Sequence, residues 1–195
     1  FGHTSPSGKL PFTLPKSVGQ IPIYYSKKNG GRPATHDSIM SIDDIPAGAE
    51  QTSFGMTAFH LDDGFEPLFP FGFGLSYTNF EYSELTILSN ELTQGGELKV
   101  SVRVGNVGLK DAYEVVQLYV RDRVGSITRP VRELKAFEKI LIPAGQVRDV
   151  RFSLSRADFS FYRRCREYGV EPGAFGLWVG GSSLADLHVA FEIDA

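Results

Sequence analysis

Beyond Phe80 the chain is written in short stretches where every second residue is apolar, separated by Gly, Pro and Asn. A two-residue period is that of a strand with one buried face, because successive side chains of an extended backbone leave on opposite sides. The clearest stretch sets Leu98, Val100, Val102 and Val104 on one face and Lys99, Ser101 and Arg103 on the other. Val116, Leu118 and Val120 form a second, Val150, Phe152 and Leu154 a third, and Phe175, Leu177 and Val179 a fourth. Leu187, Val189, Phe191 and Ile193 make a fifth. Between them, Gln94-Gly95-Gly96, Gly105-Asn106-Val107-Gly108, Pro143-Ala144-Gly145 and Glu171-Pro172-Gly173 hold the residues that turns demand. No helical period competes, so the pattern predicts an all-β sandwich of about 100 residues.

Residues 1–78 read differently. Pro6, Pro11, Pro15, Pro22 and Pro33 break any helix, and periodic apolar runs are few, so this part cannot build a core of its own. An irregular stretch of this length is functional, disordered, or packed on another body. Within it, residues 34–66 still carry Met40, Ile42, Ile45, Phe54, Met56, Phe59 and Phe65, too many apolar groups for a simple solvated linker.

Composition narrows the function classes. The formal charge of -3 comes from 20 basic and 23 acidic residues spread along the chain, so no basic stripe exists to neutralise a phosphate backbone. Nucleic acid is therefore not an expected partner. No apolar run reaches the roughly 18 residues of a membrane span, and no charged-then-apolar leader opens the sequence. A first residue other than Met suggests a processed or truncated chain. Cys165 is the one cysteine, which excludes an internal disulfide framework and a multi-cysteine metal site. His3, His36, His60 and His188 fall in no short metal-ligand motif, and His188 alternates with core residues, hence faces solvent. Gly72-Phe73-Gly74 lacks the third glycine of a phosphate loop, and no Gly-x-Ser-x-Gly elbow occurs. Asp62-Asp63 and Asp43-Asp44 are adjacent pairs whose side chains diverge, so both read as solvated acidic loops. Neither a cofactor nor a metal is expected.

Ser5-Pro6-Ser7-Gly8-Lys9-Leu10-Pro11-Phe12-Thr13 is similar to the stretch where, in glycoside hydrolase family 3, the α/β-sandwich domain hands over to the next part of the chain. Pro67-Leu68-Phe69-Pro70-Phe71-Gly72-Phe73-Gly74-Leu75-Ser76-Tyr77-Thr78 resembles the family's signature at the entrance to the third domain. Val115 to Val120, Arg129 to Lys139 and Glu171-Pro172-Gly173 come next in the family's order, and Ile21 to Tyr25 with Gly31-Arg32-Pro33 resembles the periplasmic β-glucosidase subgroup. Two features depart from the family: Gly105 to Gly108 replaces an Asn-Thr-Gly turn, and residues 34–66 exceed the short connector expected.

The resemblance implies an immunoglobulin or fibronectin type III-like β-sandwich preceded by a long irregular segment from the end of an α/β-sandwich domain. Its boundaries would be 1–33 for the tail of that domain, 34–78 for a connector or loop, and 79–195 for the fibronectin type III-like domain. It implies a retaining mechanism with two carboxyl groups, both on upstream domains, so no catalytic residue is expected on this chain. The implied partners are the upstream barrel and α/β-sandwich domains of the same protein and a β-glucoside or oligosaccharide substrate, with a homodimer left open. The implied compartment is periplasmic or extracellular.

Aromatic side chains can stack on sugars or fill cores. Phe69, Phe71 and Phe73 are expected to pack between domains, and Tyr24, Tyr25, Trp178 and Tyr162 are weaker sugar-contact candidates. Lys27, Lys28 and Arg32 form a basic cluster read as a hydrated loop, with Arg32 as a candidate contact to a substrate hydroxyl. Phe54, Met56, Phe59 and His60 are the candidates for shaping the mouth of a substrate cleft. A carbohydrate-binding module and a protein-interaction module are the rival readings, since fold does not specify function.

Overall fold

The computed structural model describes residues 2–28, 33–38, 43, 45–50, 60 and 63–194. Seven strands build two antiparallel sheets. The first sheet orders β1 (Phe80–Asn90), β2 (Glu97–Asn106) and β5 (Val147–Ser155) as β1-β2-β5. The second contains β3 (Ala112–Asp122), β4 (Glu133–Ile142), β8 (Gly173–Gly180) and β9 (His188–Ile193) in the order β4-β3-β8-β9. Between β5 and β8 a small hairpin, β6 (Phe161–Tyr162) and β7 (Tyr168–Gly169), stands apart from both.

The alternating residues face each other across the two sheets. Leu98, Val100, Val102 and Val104 of β2 are fully buried with Val116 and Leu118 of β3 and Leu177 of β8. Each such side chain contributes roughly 1.5–3 kcal/mol on leaving water. Leu187 and Val189 pack on this core half-buried, because they lie where the outer strand meets the rim. One end of the sandwich is closed by Phe159, Phe175 and Phe191, whose rings meet edge-on at 5.6 and 5.7 Å and stacked at 5.4 Å. Phe159 is delivered by a short 3-10 turn, Arg156–Phe159, held by a capping box between Ser155 and Asp158.

Two strands are poorly marked by alternation. In β1 the inward residues change phase, from Phe80 and Tyr82 to Leu85 and Ile87, because Glu84 adopts φ 51° at a register shift. In β4 Ala136, Ile140 and Ile142 face the core, yet Phe137 and Leu141 are apolar and point out, and the register shifts opposite Leu118 and Tyr119. A bulge moves the phase by one residue, which erases the two-residue period.

Residues Gly105 and Asn106 end β2 instead of forming a free turn. The Asn106 amide is buried and donates to the carbonyls of Lys110 and Ile142, both at 2.8 Å, while its oxygen accepts from Gly108 N–H and the Thr78 hydroxyl. Asn106 is thus the centre of a small polar core that ties the segment before Phe80 to both sheets.

Candidate functional site

The segment before Phe80 lies on the sandwich through a few polar anchors, and these define the junction. Glu114 occupies an inward position of β3, where a carboxylate would be costly. Lys9 reaches in and meets both its oxygens at 2.9 and 3.2 Å, and the Tyr82 hydroxyl donates to Oε1 at 2.8 Å. Burial pushes the Tyr82 hydroxyl pKa well above the tyrosine range, and the Glu114 charge adds to it, so Tyr82 stays a donor. Lys9 belongs to the handover motif, and its role is to neutralise a charge inside the sandwich.

The entrance motif pairs with the handover motif. Leu10 N–H donates to Phe73 O and Gly72 N–H to Leu10 O, each at 2.8 Å, and Leu14 N–H reaches Phe69 O at 2.9 Å. Both glycines of the motif are required by contact. Gly72 has φ 79°, and a Cβ there would sit 2.0 Å from Gln117 Oε1; one at Gly74 would sit 2.3 Å from the Gly8 carbonyl. Gln117 is buried and clamps this crossing, donating to Gly72 O at 3.0 Å and Gly181 O at 2.7 Å while accepting from the Tyr119 hydroxyl. Ser5 Oγ accepts from Tyr77 N–H at 2.9 Å, and the buried Gln20 amide bridges Lys16 N–H and Glu66 O, each at 2.8 Å.

Tyr25, a sugar-contact candidate, is turned inward. Its ring stacks on Phe71 at 4.1 Å and meets Tyr119 edge-on at 6.0 Å, which makes it the peg that fixes the segment to β3. Phe71 therefore faces the sandwich, whereas Phe69 and Phe73 stack on each other at 4.8 Å and line an apolar groove of about 470 Å³ with Pro6, Leu10, Leu14 and Leu75. Trp178 is half-buried, with the Arg132 guanidinium 4.7 Å from its ring. Arg132 donates to the carbonyls of Ser183 and Ala185, and burial lowers its pKa.

Tyr24 and His60 do come together. Both are exposed and border a hollow of about 380 Å³ with Gln20, Pro22, Lys27 and Phe65, beside a cleft of about 300 Å³ that continues along Tyr25, Glu66, Val131 and Arg132. His60 is placed by a backbone bridge to Gly64, with N···O distances of 2.7 and 3.4 Å. Lys27 accepts from Val131 N–H through its carbonyl at 2.8 Å, and its ammonium lies 5.8 Å from the Phe65 ring. Phe54, Met56, Phe59 and Arg32 lie outside the described residues, as do Asp62 and Asp44. Asp63 accepts a hydrogen bond from Ser17 and its carbonyl accepts from Lys16, which makes it a connector tie. His188 is exposed, and among the described residues no cluster of His, Cys, Asp and Glu could hold a metal. None of the described helices is long and apolar enough to cross a membrane.

Sequence reading missed Lys9, Glu114, Gln117 and Gln20 as a set. One signal was present: Glu114 and Asp122 occupy the same inward phase of β3 as Val116, Leu118 and Val120. Asp122 sits at the other end of that strand, where it accepts from Val124 N–H at 3.1 Å and burial raises its pKa.

Comparison with known proteins agrees with this architecture. The fibronectin type III-like domain family matches residues 114–183. A periplasmic β-glucosidase of Salmonella typhimurium is 37% identical over 193 residues, covering 99% of this chain and 23% of that protein; β-xylosidases occur among the relatives as well. The crystal structure of a Listeria innocua β-glucosidase in complex with glucose superposes with a TM-score of 0.84 at 37% identity, covering 100% of this chain and 25% of the other. The GH3 β-glucosidase of Bifidobacterium adolescentis gives a TM-score of 0.71 at 26% identity, covering 100% of this chain and 27% of its own. The chain thus spans about a quarter of the length of the proteins it matches. Motif order, strand order and these matches agree: residues 114–183 match a fibronectin type III-like domain, and along its whole length the chain is similar to the C-terminal part of β-glucosidases, a GH3 β-glucosidase among them.

Proposed function

We propose that this chain is the supporting module of a retaining β-glucosidase whose catalytic carboxylates lie on upstream barrel and α/β-sandwich domains. The observation that carries this reading is where burial occurs. Before Phe80 each buried residue among those described is polar or glycine, while Phe12, Leu68 and Leu75 stay exposed, Leu75 at 72%. Polar anchors and the Tyr25–Phe71 stack fix the segment to the sandwich, and the exposed apolar groups Phe12, Leu68 and Leu75 are left for another body. In this reading residues 1–33 end the α/β-sandwich domain, 34–78 connect, and 79–195 form the module. Catalytic groups must be held within fractions of an ångström, so a module that fixes two domains acts on rate without touching the bond. The parent would remove terminal β-linked glucose without a cofactor, in the periplasm or outside the cell, and the isolated chain would be inactive. In the full-length protein, Phe12→Glu with Leu75→Glu is expected to lower kcat/KM roughly tenfold by loosening domain placement. The unfolding trace should separate into independent transitions. Unchanged kinetics and one shared transition would refute the supporting role.

A second element of the proposal concerns residues 34–66. The hollow bordered by Tyr24, His60 and Phe65 favours a connector that shapes the outer substrate site, through Phe54, Met56, Phe59 and His60, in the same subunit or across a homodimer. Replacing residues 34–66 by a short Gly/Ser connector in the full-length protein is expected to raise KM for longer oligosaccharides while leaving a monomeric aryl glucoside unaffected. Equal KM changes across chain lengths would remove the loop from the substrate site.

A further inference from the structure

The hairpin β6-β7 has chemistry that the supporting role does not use. Tyr162 and Tyr168 are direct cross-strand partners, 69% and 60% exposed, with ring centroids 5.1 Å apart and planes inclined by 59°. Their packing on each other uses only part of the two rings and leaves most of their surface in water. Between them the turn carries Arg163, Arg164 and Arg166 against Glu167 alone, in a chain whose formal charge is -3. Arg163 is engaged by Glu167 at 2.8 Å, whereas Arg164 and Arg166 are exposed and pair with no acid among the described residues.

This cationic tip is held firmly. Arg163 N–H donates to Glu167 O and Arg166 N–H to Arg163 O, each at 2.9 Å, and Arg164 N–H reaches Ser126 Oγ at 3.2 Å. Behind the tyrosines Phe161 is buried, with the Arg129 guanidinium 4.1 Å from its ring and Glu133 2.8 Å from Arg129. Arg166 adopts φ 65°, a left-handed conformation that an arginine enters at a cost. Among the described residues no hydrogen bond, ion pair or ring contact links residues 161–169 to anything before Phe80, so the hairpin is separate from the junction.

We infer that this hairpin is a binding site for an acidic glycan, a polysaccharide carrying uronic acid residues. The C–H face of a sugar ring stacks on tyrosine, and the planar guanidinium fork of arginine matches a carboxylate. A neutral glucan would use the rings and leave the arginines idle. A plain polyanion would use the arginines and leave the rings idle. The site serves to hold the protein on such a polymer.

The test measures binding of the full-length protein to immobilised polygalacturonate by biolayer interferometry, with neutral barley β-glucan, dextran sulfate and single-stranded DNA as competitors. Polygalacturonate is expected to bind, and affinity should fall roughly tenfold in Tyr162→Ala with Tyr168→Ala and again in Arg164→Gln with Arg166→Gly. Unfolding temperatures should stay unchanged, because all four side chains are exposed and glycine relieves the φ at position 166. No binding to polygalacturonate overturns the inference. So does binding that dextran sulfate or DNA displaces equally well and that survives loss of both tyrosines, and so does β-glucan binding indifferent to the arginines.

Discussion

Replacing Lys9 by methionine is expected to cost about 3–5 kcal/mol of unfolding free energy, although Lys9 lies far outside the domain it stabilises. The side chain of Glu114 is 5% exposed and that of Lys9 16%, and their 2.9 Å pair bridges 105 positions of sequence. Without the ammonium the carboxylate keeps one hydrogen bond from Tyr82 and remains inside the sandwich as an uncompensated charge. Glu114→Gln added to Lys9→Met should recover most of the loss, since the amide oxygen still accepts from Tyr82 and no charge is left behind. Denaturant titrations of the single and double variants measure the coupling. A loss below about 1 kcal/mol in the single variant would mean that Glu114 reaches water and that Lys9 is an ordinary surface pair.

Gly72→Ala should cost about 2–5 kcal/mol, from two separate sources. A side chain at φ 79° carries roughly 1–2 kcal/mol of backbone strain. The new methyl would also lie 2.0 Å from Gln117 Oε1 and 2.9 Å from the Tyr119 hydroxyl, in a packed site where overfilling costs about 1–3 kcal/mol. Gln117 cannot swing aside cheaply, because its amide is held at both ends by Gly72 O, Gly181 O and Tyr119. The expected outcome is release of the entrance segment ahead of global unfolding. Amide exchange at Leu10, Gly72 and Phe73 should accelerate while Leu118 and Val179 keep their protection. Adding Gln117→Ala should relieve the steric part and leave the strain. An unfolding temperature within about 1 °C of the parent would show that the loop refits without cost.

The two variants bear on a division visible in the chain itself. Strands β2, β3, β5, β8 and β9 were legible because their inward residues, from Leu98 to Ile193, repeat at two without interruption. Strands β1 and β4 were less so, since Glu84 and the shift opposite Leu118 each displace the phase by a residue. The motifs Ser5 to Thr13 and Pro67 to Thr78 were recognisable as patterns, but nothing in their local composition says that Lys9 belongs with Glu114 or Gly72 with Gln117. Tyr24 and Tyr25 make the point most sharply. They are neighbours of the same type, and only packing turns Tyr25 onto Phe71 while leaving Tyr24 beside His60.

By itself the sequence determined the strand-rich class and the inward face of most strands, because burial of alternating side chains and the turn chemistry of Gly and Pro are local properties. Glu114 shares the inward phase of Val116, Leu118 and Val120, a signal that the sequence reading missed. Which residue would supply its partner, which aromatics would be spent on packing, and that Tyr162 and Tyr168 would stand exposed beside arginines with no acid opposite them among the described residues were decided by the tertiary structure alone. The reason is physical: those outcomes depend on which groups meet across about 100 positions once the sheets close, and on the low dielectric that makes an unpaired charge there costly.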